Sequence, residues 1–461
     1  MSTTEKGAET DRSGPDLAPS GAVATAEADQ AENIPDRPQT YWTIGTAAFV
    51  TDIAQTMRLG DQPLKYLLHH AMHAPATVLA DFRYRSGYAW YFKPIAGLIS
   101  DAFPILGTRR RSYLVISSLL SVLLWGWLGY VATHHPTYNR LLNASISLNV
   151  AMMLASTAMG ALLVEFGKRQ GATGRLSAMR EGLSDISALI VGVAAGFLAT
   201  RFFGWTAALC AALLAILFAV SFTWLREKPS QAVNSEVFSR AGRQLVTLVK
   251  SYPLWMAALM TAFIFIAPGI GSLQYVRQTD TLKLSQQTIG ILGSAGGATA
   301  IVAAFLYSRL CRTMNLRALL AIGVVLNALS SGIYFWYNSE MLAWIIDPLN
   351  GFLYTVGILS IFDLAARATP RGSEGLGFAL MMAVRNFCLF YSDKFGANLA
   401  ADHHLSWQTM VMINTLFTLC ALIFVPLIPA SIMARRDGEK NAIDRLPPGG
   451  EPATGRAQEP V

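Results

Sequence analysis

Residues 91–114 read YFKPIAGLISDAFPILGTRRRSYL, an apolar stretch with two charged side chains that is followed, near its end, by three consecutive arginines. The next stretch, 112–139, contains no Asp, Glu, Lys or Arg. It is long enough to cross a bilayer, which takes about 20 apolar residues. An apolar helix, a short basic loop and a second apolar helix are typical of a polytopic membrane protein.

The composition of the whole chain agrees with this interpretation. Of the 461 residues 53% are hydrophobic and 14% are charged, against about 25% charged in soluble domains. This composition excludes a disordered chain, a coiled coil and a disulfide scaffold. The net charge is +7, and the bases fall in short loops between apolar runs, which indicates a membrane surface and not nucleic acid.

The two ends of the chain differ from its middle. Residues 1–40 are rich in Ala, Glu, Asp, Ser and Pro and have no apolar core, and residues 435–461 are rich in Pro and Gly. Segments of this kind cannot bury enough apolar surface to fold. The sequence therefore predicts two disordered cytoplasmic tails.

Twelve stretches between the tails are long and apolar enough to be membrane helices. Six of them contain no acidic or basic residue: 112–139, 141–164, 202–225, 251–276, 284–308 and 406–434. Six contain one or a few charges: 41–66, 78–103, 181–201, 315–337, 341–366 and 373–400.

Lys and Arg are concentrated in every second loop, beginning after the second predicted helix. This bias places those loops and both termini in the cytoplasm. The longest basic loop, 226–250, divides the chain into halves 41–225 and 251–434. We therefore expect an all-α major facilitator fold of two six-helix halves, with a substrate site between them. We also expect a monomer in a bacterial inner membrane.

Several charged residues lie inside predicted helices, where each costs about 2.5–3.5 kcal/mol on insertion scales, and four of them are candidates for a function. They could pair with each other as packing contacts, for example Asp52 with Lys93. Alternatively, they could line a polar, aromatic cavity that binds a flat anionic solute. The candidates for binding and coupling, with their polar and aromatic neighbours, are Asp52, Gln55, Trp90, Lys93, Asp347, Arg385 and Asn386.

A gate is predicted at the cytoplasmic end of the second helix. Lys93, Gly97 and Asp101 are one turn apart and share a face. Asp101 can accept hydrogen bonds from nearby arginines or from a helix N-terminus of the opposite half, in a contact that forms in one conformation only. The arginines could instead only fix the orientation of the chain; they are Arg109, Arg110 and Arg111.

The stretch 91–114 also resembles the signature segment of the folate-biopterin transporter family, within the major facilitator superfamily. The matching positions are Lys93-Pro94, Gly97, Ser100-Asp101, Phe103-Pro104, Gly107 and Arg109-Arg110-Arg111-Ser112-Tyr113. Weaker similarities follow at Val164-Glu165, Asn386 and Gly396. The family usually has an acidic residue shortly before Val-Glu, where this chain has Met159-Gly160-Ala161. The resemblance implies transport of a folate-like or pterin-like solute.

Two other functions stay open in the sequence. A major facilitator permease could carry another organic anion, such as a siderophore or a peptide conjugate. A membrane enzyme could use a metal held by histidines, because His69, His70 and His73 have possible ligand spacing. Enzyme motifs such as GxSxG, HExxH and the P-loop are missing, so the sequence predicts a carrier with no cofactor or metal.

Proton coupling is expected to depend on Asp52. Desolvation of a carboxylate at bilayer depth favours its protonated form. Protonation of Asp52 would weaken a pair with Lys93 and so link proton entry to opening of the cavity. Asp347 is the alternative proton carrier.

Overall fold

The computed structural model describes residues 38–169, 173–229, 236–370 and 373–428. Within these ranges the chain is helical and has no β-strand, only an isolated bridge between Ile105 and Thr108. The prediction of an all-α protein is therefore confirmed. Apart from 38–40, the predicted tails lie outside the described residues.

The first half begins with two interrupted helices and continues with four long ones. The helix α2 runs directly into a π-helical turn, Leu67–Ala71, before the chain reverses. The bounds are α1 Pro38–Ile53, α2 Asp61–Tyr66, α3 Ala76–Ser86, α4 Tyr88–Tyr91, α5 Lys93–Ala102, α6 Arg111–His134, α7 Tyr138–Arg169, α8 Thr173–Ala199 and α9 Phe203–Thr223.

The second half also begins with an interrupted helix, which five further helices follow. Its interrupted helix also ends in a π-helical turn, Arg277–Thr281, and five of its helices start at a Ser or Asn side chain that accepts from a first-turn amide. The bounds are α11 Tyr252–Ile266, α12 Gly271–Val276, α13 Gln286–Thr313, α14 Leu316–Gly332, α15 Glu340–Ala368, α16 Glu374–Asp402 and α17 Trp407–Cys420.

Nine helical stretches among the described residues are long and apolar enough to cross a membrane. They correspond to nine of the twelve predicted spans. The other three predicted spans are helical too, but 41–66 and 78–103 are interrupted and 373–400 holds several charges. The first of these three helices is interrupted at 54–60, which the sequence did not predict.

The backbone groups freed at the interruptions are bonded by other helices. Trp125 Nε1 donates to the Ala54 carbonyl at 3.0 Å in the first half. In the second half Asn414 Nδ2 donates to the Pro268 carbonyl at 2.8 Å, and Gly269 N donates to the Ser392 carbonyl at 2.9 Å. Unbonded backbone groups would be costly at this depth, so these partners stabilise both interruptions.

The predicted central loop, 226–250, contains a helix, α10 Glu236–Val249. One face of α10 is buried at Ala241 and Leu248, whereas Phe238 and Val246 are exposed on the other. Apolar side chains on a solvent-facing side are typical of a helix that lies along a membrane surface.

The apolar core follows the two predicted halves. One cluster of buried side chains is drawn from residues between Ile44 and Leu225, with Tyr275 added, and three others are drawn from residues between Leu248 and Ile428. The boundaries of the halves, 41–225 and 251–434, remain a prediction.

The helices α8 and α13 join the two halves at their closest approach. A Cβ atom on Gly290 would collide with the carbonyl oxygen of Gly192 and lie 2.8 Å from the Cα of Gly196. Ser294 Oγ donates to the Leu189 carbonyl at 2.7 Å across the same seam. Small residues at these positions let the backbones pack directly.

Candidate functional site

A cavity of about 430 Å³ lies between the two halves. The first half supplies Asp61, Gln62, Lys65 and Arg83 to its wall. The second half supplies residues of α12, α13 and α15 and the tyrosine that follows α14, among them Gln274, Ile289, Gly296, Tyr334, Asp347 and Asn350. We call this space the central cavity. Its size and mixed lining are those of a small-molecule site.

A second cavity, of about 340 Å³, adjoins the central cavity and lies mostly within the second half. Its wall includes Phe265, Tyr354, Asp393 and Asn414. Arg83, Gly271, Gln274, Tyr334 and Asn350 line both spaces. Arg83 is the first-half residue that borders both.

Asp347 is a predicted candidate that does line the central cavity. Its carboxylate accepts from Tyr334 Oη at 2.6 Å, from Tyr337 Oη at 2.7 Å and from Gln274 Nε2 at 3.2 Å. The neighbouring Pro348 leaves backbone groups without helix partners, and Thr299 Oγ1 donates to the Pro348 carbonyl at 2.5 Å. All three donors to the Asp347 carboxylate are neutral.

Three charged side chains of the first half line the central cavity, and all three follow the interruption at 54–60 in the chain. Asp61 and Lys65 lie one turn apart on α2, and Lys65 Nζ is 2.7 Å from Asp61 Oδ2. Arg83 lies on α3, with its guanidinium 5.5 Å from the centre of the Phe390 ring. These charges are visible in the sequence, but the predicted continuous helix over 41–66 gives no reason to expect them in a cavity wall.

Asp393 is a further cavity residue that sequence reasoning missed. Its two oxygens accept from Ser272 N at 2.8 Å and from Ser272 Oγ at 2.7 Å. These bonds hold α16 against the start of α12, where Gly269 and Gly271 leave room for the carboxylate. The glycines of the Pro268-Gly269-Ile270-Gly271 stretch were the signal that could have located it.

The predicted first-half candidates form a separate polar group that lines neither cavity. Asp52 pairs with Arg58 at 3.2 Å and accepts from Ser184 and Ser187. Gln55 Nε2 donates to the Thr51 carbonyl at 2.5 Å.

Lys93 does not pair with Asp52. Its Nζ donates to Ser156 Oγ at 2.9 Å and lies 5.4 Å from the centre of the Trp90 ring. The expected Asp52–Lys93 pair is therefore absent from the described structure, because Arg58 and Ser156 take the two partners.

Arg385 and Asn386 also lie away from the cavity walls. The Arg385 guanidinium is 4.9 Å from the centre of the Phe265 ring and 5.5 Å from that of Phe362. It donates to Asn386 Oδ1 at 3.2 Å. Phe265 separates this arginine from the second cavity, whose wall it forms.

The predicted gate is an ionic cluster on the arginine-rich loop. Arg110 bridges Asp101 at 2.5 Å and Glu165 at 3.2 Å. The carboxylate of Glu227 accepts from three successive backbone amides at 2.8–3.0 Å, those of Arg109, Arg110 and Arg111. Gly97 packs against α7, where a Cβ would lie 3.8 Å from the Thr157 methyl group. We call this end of the bundle the arginine end.

The opposite end is joined across the halves, and we call it the closed end. Gln62 Nε2 donates to Gln286 at 2.7 Å (carbonyl) and 3.0 Å (side chain). His69 Nε2 is 2.9 Å from Asp280 Oδ1, and its Nδ1 is 2.9 Å from the Ala74 carbonyl. Asp81 and Lys394 form a further pair between the halves at 2.6 Å.

Of the three histidines with possible ligand spacing, His69 is used in one of these structural contacts. Across the described part of the chain, no group of three or more His, Cys, Asp or Glu side chains is placed to hold a metal ion. The structure gives no support to the metal-enzyme alternative.

Comparisons with known proteins agree with this geometry. The chain is 27% identical over 376 residues to the folate-biopterin transporter of Synechocystis sp., covering 74% of this chain and 72% of that protein. It is 22% identical over 385 residues to folate transporter 1 of Plasmodium falciparum, covering 79% and 75%.

Solved transporter structures share the fold at low identity. A D-xylose–proton symporter superposes with a TM-score of 0.63 at 13% identity, covering 84% of this chain and 96% of that one. A POT family transporter in complex with a thioalcohol conjugated peptide gives 0.66 at 12%, covering 87% and 98%.

The model of the BT1 family matches residues 56–445, which is most of the chain. The predicted major facilitator fold and the resemblance read from 91–114 are thus confirmed. The chain belongs to the BT1 family and is a multi-pass integral membrane protein.

Proposed function

We propose that this protein is a secondary active transporter that carries a folate-like or pterin-like solute by alternating access, coupled to protons. The observation that supports it most directly is the central cavity, whose charged and aromatic wall is shared by both halves. A pterin is a flat ring with a hydrogen-bond donor edge that suits a carboxylate, and folates add carboxylates that suit Arg or Lys. The relatives named above make this solute class the first to test.

The experiment is uptake into proteoliposomes that contain the full-length protein. Labelled folate, labelled biopterin and an unrelated organic anion are offered with and without an imposed proton gradient. We expect the folate or the pterin to accumulate against its gradient when the outside is more acidic. Accumulation of only the unrelated anion would favour the alternative carrier of another organic anion.

Charge balance supports coupling to protons. The side chains that line the two cavities include three carboxylates, Asp61, Asp347 and Asp393, and two cations, Lys65 and Arg83. An anionic solute would add to this negative excess in a site shielded from water, which is unfavourable. Entry of a proton with the solute offsets the added charge.

Asp347 is the carboxylate that we propose as the proton carrier, in place of Asp52. Asp52 lines neither cavity and is paired with Arg58, whereas Asp347 lies in the cavity wall with neutral donors only. Asp347→Asn should keep exchange of solute across the membrane but lose proton-driven accumulation.

Asp52→Asn is the matched control and should accumulate solute like the wild type. Loss of accumulation in Asp52→Asn, with normal accumulation in Asp347→Asn, would return the coupling role to Asp52. Both variants are compared in the same vesicles, by counterflow without a gradient and by uptake with one.

We also propose that the protein is a monomer and that both termini and the arginine end face the cytoplasm of a bacterial inner membrane. The distribution of Lys and Arg supports this orientation. Single cysteines introduced into 226–250 should then react with an impermeant reagent only after the cells are opened.

A further inference from the structure

Arg83 is the cation of the cavity walls that has no ion-pair partner among the described residues. It forms no salt bridge within 4.0 Å, and its buried Nε has no hydrogen-bond partner. Lys65, the other cation of the walls, is paired with Asp61. An arginine retained in a membrane cavity without a partner is most simply explained by a ligand.

The two carboxylates with the strongest electrostatic influence on Arg83 are engaged elsewhere. They are Asp61 of the first half and Asp393 of the second. Asp61 is held by Lys65, and both oxygens of Asp393 accept from Ser272. The donors of Arg83 therefore stay available to a third anion.

The surroundings of Arg83 suit an anion attached to a flat ring. Its guanidinium is a planar fork of donors that matches a carboxylate with two parallel hydrogen bonds. Aromatic side chains stand in the walls on either side, Tyr334 in both cavities and Phe265 and Tyr354 in the second. The ring of a solute can stack on these aromatic side chains while the carboxylate of the solute binds Arg83 on α3.

We infer that Arg83 binds the carboxylate of the transported solute, and that the two adjoining cavities together accept a ring-bearing organic acid. The inference rests on the proposed function and names the substrate class of the same site. The first half would hold the acid group and the second half the ring, so that both halves must close on the solute.

The test compares ligands with and without a carboxylate on purified full-length protein. Folate, biopterin (which has no carboxylate) and p-aminobenzoylglutamate (which has no pterin) are each titrated into the wild type, Arg83→Gln and Arg83→Lys. Loss of a charge-assisted contact should lower the affinity of Arg83→Gln for folate at least about tenfold. Biopterin affinity should change less than about twofold. Arg83→Lys should lie between the wild type and Arg83→Gln for folate.

Arg85→Gln is the matched control, since Arg85 is two residues away, half-exposed and paired with Asp81 at 2.8 Å. It should bind all three ligands like the wild type. Equal losses of folate and biopterin in Arg83→Gln, or unchanged folate binding, would overturn the inference. If the wild type binds p-aminobenzoylglutamate through Arg83 but neither pterin compound, the proposed pterin substrate is wrong and the acid site stands.

Discussion

The two ends of the bundle use polar contacts in different ways. At the closed end the contacts join the halves, as in the pairs Gln62–Gln286 and His69–Asp280. At the arginine end, the ionic cluster of Asp101, Arg110 and Glu165 lies within the first half. Glu227, which completes it, belongs to the segment directly after that half.

This difference shows which contacts must change when access alternates. A contact between halves has to break for the closed end to open, whereas a contact within one half can persist. Substitutions at the closed end should therefore shift the population of conformations. Substitutions in the ionic cluster should mainly change stability. Three predictions test this contrast, beginning with the largest expected effect.

Gly290→Ala should have the largest effect, because the added Cβ collides with Gly192 in the seam between α8 and α13. Overpacking of about 2 kcal/mol would lower the closed population about 30-fold. The readout is oxidative cross-linking of Gln62→Cys to Gln286→Cys, whose side chains are in contact in the closed form. Uptake should fall in parallel.

Gly293→Ala is the control on the same helix, since no atom lies within 4 Å of its added Cβ. It should cross-link like the parent. Equal cross-linking in Gly290→Ala would show that the seam can relax, and the contrast between the ends would lose its strongest support.

Glu227→Gln should have an intermediate effect, confined to stability. The carboxylate accepts from three amides at the N-terminus of α6, where a negative charge is favoured. Removing the charge should cost about 1–2 kcal/mol of stability, seen as a lower Tm. Cross-linking at the closed end should stay unchanged.

The exposed Glu340, in the first turn of α15, offers a matched substitution, Glu340→Gln, because Ser339 already caps that helix. It should leave the Tm near the wild-type value. A loss of closed-end cross-linking in Glu227→Gln would show that the two ends are coupled through α6.

Asp280→Asn should have the smallest effect, at most about 1 kcal/mol, because the Asp280 side chain is 51% exposed. Both ring nitrogens of His69 face oxygen atoms, those of the Asp280 carboxylate and the Ala74 carbonyl. Replacing the carboxylate by an amide removes the charge from this contact between the halves. Cross-linking of Gln62→Cys to Gln286→Cys should therefore fall by less than about fivefold.

The rings of His70 and Tyr275 lie 5.2 and 6.0 Å from that of His69 and remain in the variant. If Asp280→Asn cross-links like the parent, these neighbours, and not the His69–Asp280 pair, hold the closed end at this point.

Most of the helices could be predicted because a bilayer imposes a simple rule on length and polarity. The spans with no internal charge, such as 112–139 and 202–225, correspond to α6 and α9 within a few residues. The interruption after α1 could not be predicted in the same way, because its backbone partner, Trp125, is about 70 residues away in the chain.

The candidate site was predicted in part. Asp347 was found because a charge inside an apolar helix is costly and needs a reason. Asp52 and Lys93 met the same criterion, yet each is satisfied by neighbours within its own half. Asp61 and Arg83 were missed because, near a predicted helix boundary, inward and outward charges look alike in sequence. Which side a charge faces depends on packing between halves.

The interrupted helix at the start of each half has a mechanical consequence. A continuous helix must give up backbone hydrogen bonds in order to bend. At 54–60 and 267–270 such bonds have already been replaced by those from Trp125, Ser392 and Asn414. Each half thus has a preformed hinge beside the central cavity. Bending there would turn one segment against its neighbour without exposing an amide or carbonyl group to lipid, so each transport cycle could repeat the motion at little energetic cost.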